Sequence, residues 1–334
     1  MRAVALLLVA VTACAYDTPW TPKPYGPDTP FDPASPGRVT INTGVDRTPA
    51  WVPGDTTLLY SAERTSDHDR CLGVLSARTW TLERTLCHGS LVTDSNHVDA
   101  FEWAAARRGQ IAFQWAQWPR NAVKPLERDL IVASLDRWDH GRVLIAFHPY
   151  GPGLVDIDGV QRVQWVGDTS LVYVHEQMLV TIPPPPSPPI YDTTITAIDI
   201  ERVNFDSDSV VVTIVPGTAG ATSLAVNDSA TAIYYTLPGD SLVYRLALDS
   251  SVASAAYAFP GGVFPRDVQV RGARLVAIVG GDLHLVDLQA PYDSVVTGPA
   301  VAFRNPALSR DGHTIVVEGD PGSGIPDLWR VVWP

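Results

Sequence analysis

Four places in the sequence gather side chains that could do chemistry. Near the C-terminus, NPALSRDGHTIVVEGD (305–320) sets Ser309, Asp311 and His313 within five positions, the residue types of a nucleophile, an orienting acid and a general base. HEQML at His175 holds the first half of H-E-x-x-H, the zinc-binding pair of helical metalloproteases. DSNHVD (94–99) and DSDS (206–209) offer oxygen ligands of the kind calcium prefers. Finally, Asp46, His97, Asp99, Glu102, Asp156, Asp158 and Asp267 are acids and imidazoles at or near the starts of apolar runs, where loops could gather them. The first three weaken on inspection. HEQML lacks the second histidine and sits in a strand-like run, and neither acidic loop continues to the glycine and distal glutamate of an EF-hand. There is no G-x-S-x-G elbow, and no C-x-x-C, P-loop or G-x-G-x-x-G follows a strand in the required way. No catalytic residue, metal or cofactor is therefore expected.

The elements that must carry these side chains are short strands. Beyond Gly37 the chain alternates β-rich runs with Gly, Pro, Asp and Asn, and shows no long amphipathic helix. Six segments repeat one pattern of short strand, polar turn and apolar strand: TPAWVPGDTTLLYSAE, DAFEWAAARRGQIAFQWA, VQRVQWVGDTSLVYVHE, ATSLAVNDSATAIYYTLPGD, PRDVQVRGARLVAIVGGD and RNPALSRDGHTIVVEGD. Most are followed by a third strand such as LIVASLD, TITAIDI or LHLVDLQ. Four strands per unit repeated radially make a propeller blade, and residues 38–334 supply about 50 residues for each of six. The expected fold is all-β, a six-bladed β-propeller of four-stranded antiparallel blades. The last repeat ends at DLWRVVWP, one strand short, so RVTINTG (38–44) is expected to close it and hide the exposed edge.

In such a fold the loops entering each inner strand converge on the axis. The seven acids and histidines named above are then the candidate ligand-binding residues of an axial funnel. Trp51, Trp103 and Trp165 are read as matching inner-strand positions, either packing blade on blade or forming a platform for a ligand. The stretches QWPRNAVKPLERD (117–129) and TIPPPPSPPIYD (181–192) are second-to-third-strand connections, and the proline run would cost little entropy to bind.

PAWVPGDTTLLY (49–60) and PALSRDGHTIVV with DLWRVV at the C-terminus resemble the WD40-like repeat of TolB-type six-bladed propellers. The resemblance covers nearly all of 38–334, strongest in the first and last repeats. It makes SRDG the turn between the innermost and second strands, with VPGD (52–55) and VGD (166–168) in the equivalent place. Those copies lack Ser and His, so Ser309, Asp311 and His313 read as turn chemistry. The resemblance also implies envelope partners such as a peptidoglycan-associated lipoprotein. The sequence departs from the family where an α/β domain would precede the propeller.

The N-terminus speaks to compartment. MRAVALLLVAVTAC has one positive charge, an apolar run and small residues before Cys14, which resembles a bacterial lipobox. Residues 1–13 are then a lipoprotein signal peptide, and Cys14 is the acylated N-terminus holding the chain to a membrane. Residues 14–37 carry a proline at nearly every third position, as a polyproline II rod or a disordered tether. Ala15, rather than aspartate, follows Cys14, which favours the outer membrane facing the periplasm. That extracytoplasmic compartment permits a disulfide, and Cys71 and Cys87 stand equidistant from a turn near Thr79, either bridged or as buried thiols. A net charge of −12 argues against nucleic acid. The reading is a monomeric, lipid-anchored binding module for an envelope protein, peptide or cell-wall component. The alternative is a lactonase- or polysaccharide-lyase-like propeller enzyme with a metal or substrate in the funnel.

Overall fold

The computed structural model describes residues 37–40, 44–64, 69–86, 97–119, 125–150, 156–181, 192–290, 292–296, 302–320 and 325–333. Cys14, the tether to residue 36, Cys87 and the proline run at 182–191 lie outside them. The chain enters through β1 (Gly37–Arg38) and then runs in antiparallel meanders. The first comprises β2 (Asp46–Trp51), β3 (Thr57–Arg64), β4 (Asp69–Ser76) and β5 (Thr81–Leu86). The second comprises β6 (His97–Arg107), β7 (Gln110–Pro119), β8 (Glu127–Ser134) and β9 (Arg137–Phe147). Next come β10 (Asp156–Gly167), β11 (Ser170–Thr181), β12 (Asp192–Phe205) and β13 (Val210–Ile214), then β14 (Ser223–Val226), β15 (Ala232–Thr236), β16 (Leu242–Ala247) and β17 (Ser254–Ala258). The chain continues through β18 (Pro265–Arg271), β19 (Arg274–Val279), β20 (Asp282–Asp287) and β21 (Tyr292–Val296), and finishes in β22 (Ala302–Leu308), β23 (Thr314–Asp320) and β24 (Asp327–Val332).

These strands form a propeller of four-stranded antiparallel units, but not six separate sheets. Four sheets have four strands each, and the first two meanders merge into one of eight. The merger is a single parallel bridge between Arg70 of β4 and Ala100 of β6, beside the ion pair of Arg70 with Glu102. The strand read at 38–44 is also shorter than expected. Gly37 and Arg38 of β1 pair with Arg330 and Trp329 of β24, and Val39 N–H donates to the Leu328 carbonyl at 2.7 Å. Residues 41–43 lie outside the described residues.

Burial on both faces explains the nearly unbroken apolar runs. In β11, Leu171 and Tyr173 pack with Leu130 and Leu144 of the preceding meander, while Val172 and Val174 face Leu224 and Ile233 of the following one. Alternate side chains thus feed two cores, each contributing about 1.5–3 kcal/mol when fully buried.

The innermost strands carry a recurring irregularity. β2, β6, β10, β18 and β22 each shift register against their neighbours, between Arg47 and Ala50, Glu102 and Ala105, Gln161 and Gln164, Arg266 and Gln269, and Arg304 and Ala307. The first residue of each bulge is left-handed: Thr48 (φ 49°), Trp103 (56°), Arg162 (52°), Asp267 (57°) and Asn305 (47°). Non-glycine residues in this region cost on the order of 1–3 kcal/mol each, so the surroundings must hold them. The bulges also correct the tryptophan alignment. Trp51 and Trp165 each follow a bulge residue by three, whereas Trp103 is itself one. Trp51 and Trp165 share one role, each donating its indole N–H at 3.0 Å to a carbonyl of the preceding meander around the ring, Ala307 and Ala105.

Candidate functional site

The five bulge residues meet around the axis and account for one another's conformation. Trp103 N–H donates to Thr48 Oγ1 at 3.4 Å, and the Arg162 guanidinium lies 5.0 Å from the Trp103 ring centroid. Arg162 reaches past β14, which has no bulge, donating to the Thr222 carbonyl at 3.1 Å and to the Asp267 carboxylate. Asp267 accepts the Asn305 N–H at 3.1 Å, and Asn305 Nδ2 donates at 2.7 Å to Glu318. Glu318 accepts the Thr48 N–H at 3.5 Å, which returns the belt to its start. Burial pushes the Glu318 carboxyl above its ordinary range, against the pull of Asn305, Arg47 and the Thr48 N–H.

On the C-terminal side of this belt lies a cavity of about 360 Å³, lined by residues of β2, β6, β10, β14, β18 and β22 and the turns after them. Its floor includes Thr48, Trp103, Arg162 and Asn305, and its rim comes from the turns that end those strands. The rim carries one more cation than anion: Arg107, Arg108, Arg271 and Arg310 against Asp55, Asp228, which lies 3.7 Å from Arg271, and Asp168 just behind the first two arginines. Arg108 and Arg310 are exposed. Arg107 and Arg108 contact Asp168, and Arg271 donates to the Val226 carbonyl at 3.2 Å. Burial draws the Arg271 pKa below its ordinary value, with Asp228 and Asp55 opposing.

The same turns settle the Ser309, Asp311, His313 question. Ser309, 1% exposed, donates its hydroxyl to Asp311 at 2.5 Å and accepts the Thr314 N–H at 2.9 Å. Asp311 also accepts the His313 N–H at 2.9 Å, and these bonds, that of Ser309 first, hold its carboxyl below the usual range. Every functional atom of Ser309 is spent inside the turn. The aspartates of the other turns dock turn on turn: Asp55 accepts the N–H groups of Arg310 and Asp311 at 3.0 and 3.1 Å, and Asp228 that of Gly272 at 2.8 Å.

The acids read from the sequence, Asp267 apart, precede the bulges, and none of them lines this cavity. Asp267 alone belongs to the belt. Asp46 is fully buried and, after burial itself, is what raises the Tyr60 phenol. Asp99 accepts the Trp115 indole N–H at 3.1 Å, and Glu102 pairs with Arg70. Asp156 is held by backbone bonds to Tyr150, whose hydroxyl donates to Asp158 at 2.8 Å. His97 opens β6 opposite Pro119. Most of these acids thus have a partner of their own, while Glu102 and Asp158 both act on Arg128. The rim arginines were missed, although RRGQ (107–110), VRGA (270–273) and SRDG (309–312) share an arginine just before a turn glycine or Asp-Gly.

One carboxylate beyond this set is chemically unusual. Asp129 of β8 is 2% exposed, and burial, with Glu127 adding, raises its pKa to about 6 against the pull of His148 and the Phe147 N–H. The folded protein then holds a proton that the unfolded chain releases, so stability falls as pH rises from about 4 to 6. Asp129→Asn is expected to stabilise the protein at pH 8 by roughly 1 kcal/mol, discounted for solvent screening, and to change little at pH 4. Urea melts at both pH values check this; an equal effect at both would remove the assignment.

No family model matches the sequence, and no curated protein does. Solved structures share the fold at low identity. A gluconolactonase from Xanthomonas campestris aligns with TM-score 0.55 and 12% identity over 89% of each chain. The Swd1 β-propeller domain from Myceliophteria thermophila aligns with TM-score 0.56 and 9% identity, over 88% of this chain and 99% of that one. TolB from Acinetobacter baumannii aligns with TM-score 0.50 and 12% identity, over 86% of this chain and 63% of that one. These likenesses establish the propeller and leave the chemistry open.

Proposed function

We propose that the protein is a lipid-anchored, extracytoplasmic binding module that takes an anionic group of a peptide or envelope ligand into its axial cavity. The observation that carries this reading is the arginine rim, a local cationic mouth on a chain of net charge −12. Such a mouth attracts carboxylates and offers bidentate donors. The scaffold in this reading is six-bladed, the two meanders of the eight-stranded sheet counting as two blades, with β1 closing the last. Acylation of Cys14 and the proline-rich tether set it off the outer membrane. A Cys71–Cys87 disulfide belongs to the same reading, with Cys71 buried in β4 beside the pairing of Leu72 with Leu86. Acyl labelling and non-reducing peptide mapping test these two attachments.

The probe for the cavity is a fluorescent oligoglutamate peptide, with oligolysine as its counterpart. Saturable, salt-sensitive binding of oligoglutamate is expected, weakened at least tenfold by Arg108→Glu with Arg310→Glu. Both side chains are exposed, so the reversal leaves the fold intact. Absence of binding, or equal binding by the double variant, overturns the proposal. An enzyme with its metal or substrate across the belt is the second reading, favoured by the gluconolactonase likeness of fold. Lactone turnover lost in Glu102→Ala would put it first.

A further inference from the structure

Between the second and third meanders, away from the axial cavity, His175 of β11 faces Asp199 and Glu201 of β12. The strand register makes this meeting: His175 pairs with Asp199 and Tyr173 with Glu201, so the two acids, two residues apart, share one face of the sheet. A bulge directly follows His175, where β12 carries one extra residue before Asp199. His175 Nδ1 lies 3.7 Å from Asp199 Oδ1 and 3.6 Å from Glu201 Oε1, beyond hydrogen-bonding distance. One ligand atom from each residue falls within 4.8 Å of the others.

What singles out this cluster is how its atoms are partnered. Asp199 is 8% exposed, and its Oδ1, aimed at the gap, has no hydrogen-bond partner. Of the atoms facing away, Glu201 Oε2 accepts the Tyr173 hydroxyl, while the remaining imidazole nitrogen, Nε2, has no hydrogen-bond partner and faces Asp158 Oδ2 at 3.6 Å. Asp158 is itself fixed by the Tyr150 hydroxyl. Phe147 of the preceding meander lies nearly parallel to the imidazole, 15° between planes and 6.2 Å between centroids. Metal-binding histidines commonly have a carboxylate beside the second nitrogen, and Asp158 stands at that place here without closing a hydrogen bond.

We propose that His175, Asp199 and Glu201 bind one divalent ion of the zinc class. Zinc bonds of about 2.0–2.2 Å in a tetrahedron set ligand atoms roughly 3.3–3.6 Å apart, close to the spacing seen here, with water completing the set. The imidazole argues against calcium or magnesium, which take oxygen ligands. Three carboxylates around one imidazole supply the charge that such an ion balances.

The test uses the chain purified without a polyhistidine tag, stripped with chelator and titrated with zinc by calorimetry and thermal melting. Wild type is expected to bind one equivalent and to melt several degrees higher with zinc. Asp199→Asn and His175→Phe, the latter keeping a ring against Phe147, are each expected to lose both effects. The proposal is overturned if wild type shows no saturable zinc binding, or if either folded variant binds zinc as wild type does. It is equally overturned if Asp199→Asn shifts the pH dependence of melting while zinc leaves wild type unmoved, the signature of an imidazolium held by carboxylates. Should one variant fail to fold, the other and the wild-type isotherm decide.

Discussion

Arg128→Met is expected to lower stability by about 3–5 kcal/mol, while Arg128→Met with Glu176→Leu costs far less. The guanidinium of β8 and the carboxylate of β11 form an ion pair across neighbouring meanders, 3% and 1% exposed as residues. Gly159 makes room for it: a Cβ there would come within 2.3 Å of the Arg128 guanidinium carbon. Burial draws the Arg128 pKa down to about 10, with Glu102 and Asp158 pulling the other way. Removing one partner strands a charge where water cannot reach it, with Gln161 left as the neighbour donating to Glu176. Removing both leaves an apolar contact instead. A double-mutant cycle by chemical denaturation checks this; a double variant no more stable than Arg128→Met would refute it.

Deleting residues 38–44 is expected to destabilise the protein by several kcal/mol, whereas deleting 15–36 leaves melting almost unchanged. Val39 is 3% exposed and packs with Leu58, Tyr60, Val316 and Leu328, joining the first and last meanders. Its burial alone contributes about 1.5–3 kcal/mol. The deletion also removes the ion pair of Arg38 with the buried Asp327 and the bond from Leu328 N–H to Thr40 Oγ1 at 2.9 Å, adding about 1 kcal/mol or more for each. Melting curves of the two truncations decide; if both match the full chain, closure by this segment falls.

Short-range pattern made the strands and turns legible. Apolar alternation marked each meander, and the turn reading of SRDG holds because Ser309, Asp311 and Thr314 bond within five residues of one another. What depended on register was hidden. The rim arginines come from different repeats, and nothing local says that Arg108 and Arg310 share a mouth. HEQML resembles half of a helical motif only along the sequence; the acids nearest His175 lie on the next strand, at 199 and 201. Only the expected convergence of loops points to the acids. Bulges divide five of the inner strands, with those acids, Asp267 apart, before the division and the cavity after it. Bulges leave almost no mark in composition: Thr48, Trp103, Arg162, Asp267 and Asn305 have no residue type in common.

A linear array of repeats can fray, since its terminal units have a neighbour on one side alone. The belt of bulge residues has no terminal unit. Each member is held from both directions, and Glu318 joins the last to the first. Local opening therefore has no preferred starting point, and loosening any one member exposes two neighbours already in a costly backbone conformation. The molecule should lose its structure in a single step rather than peel from either end, and the wall of the cavity should be as rigid opposite the chain termini as anywhere else around it.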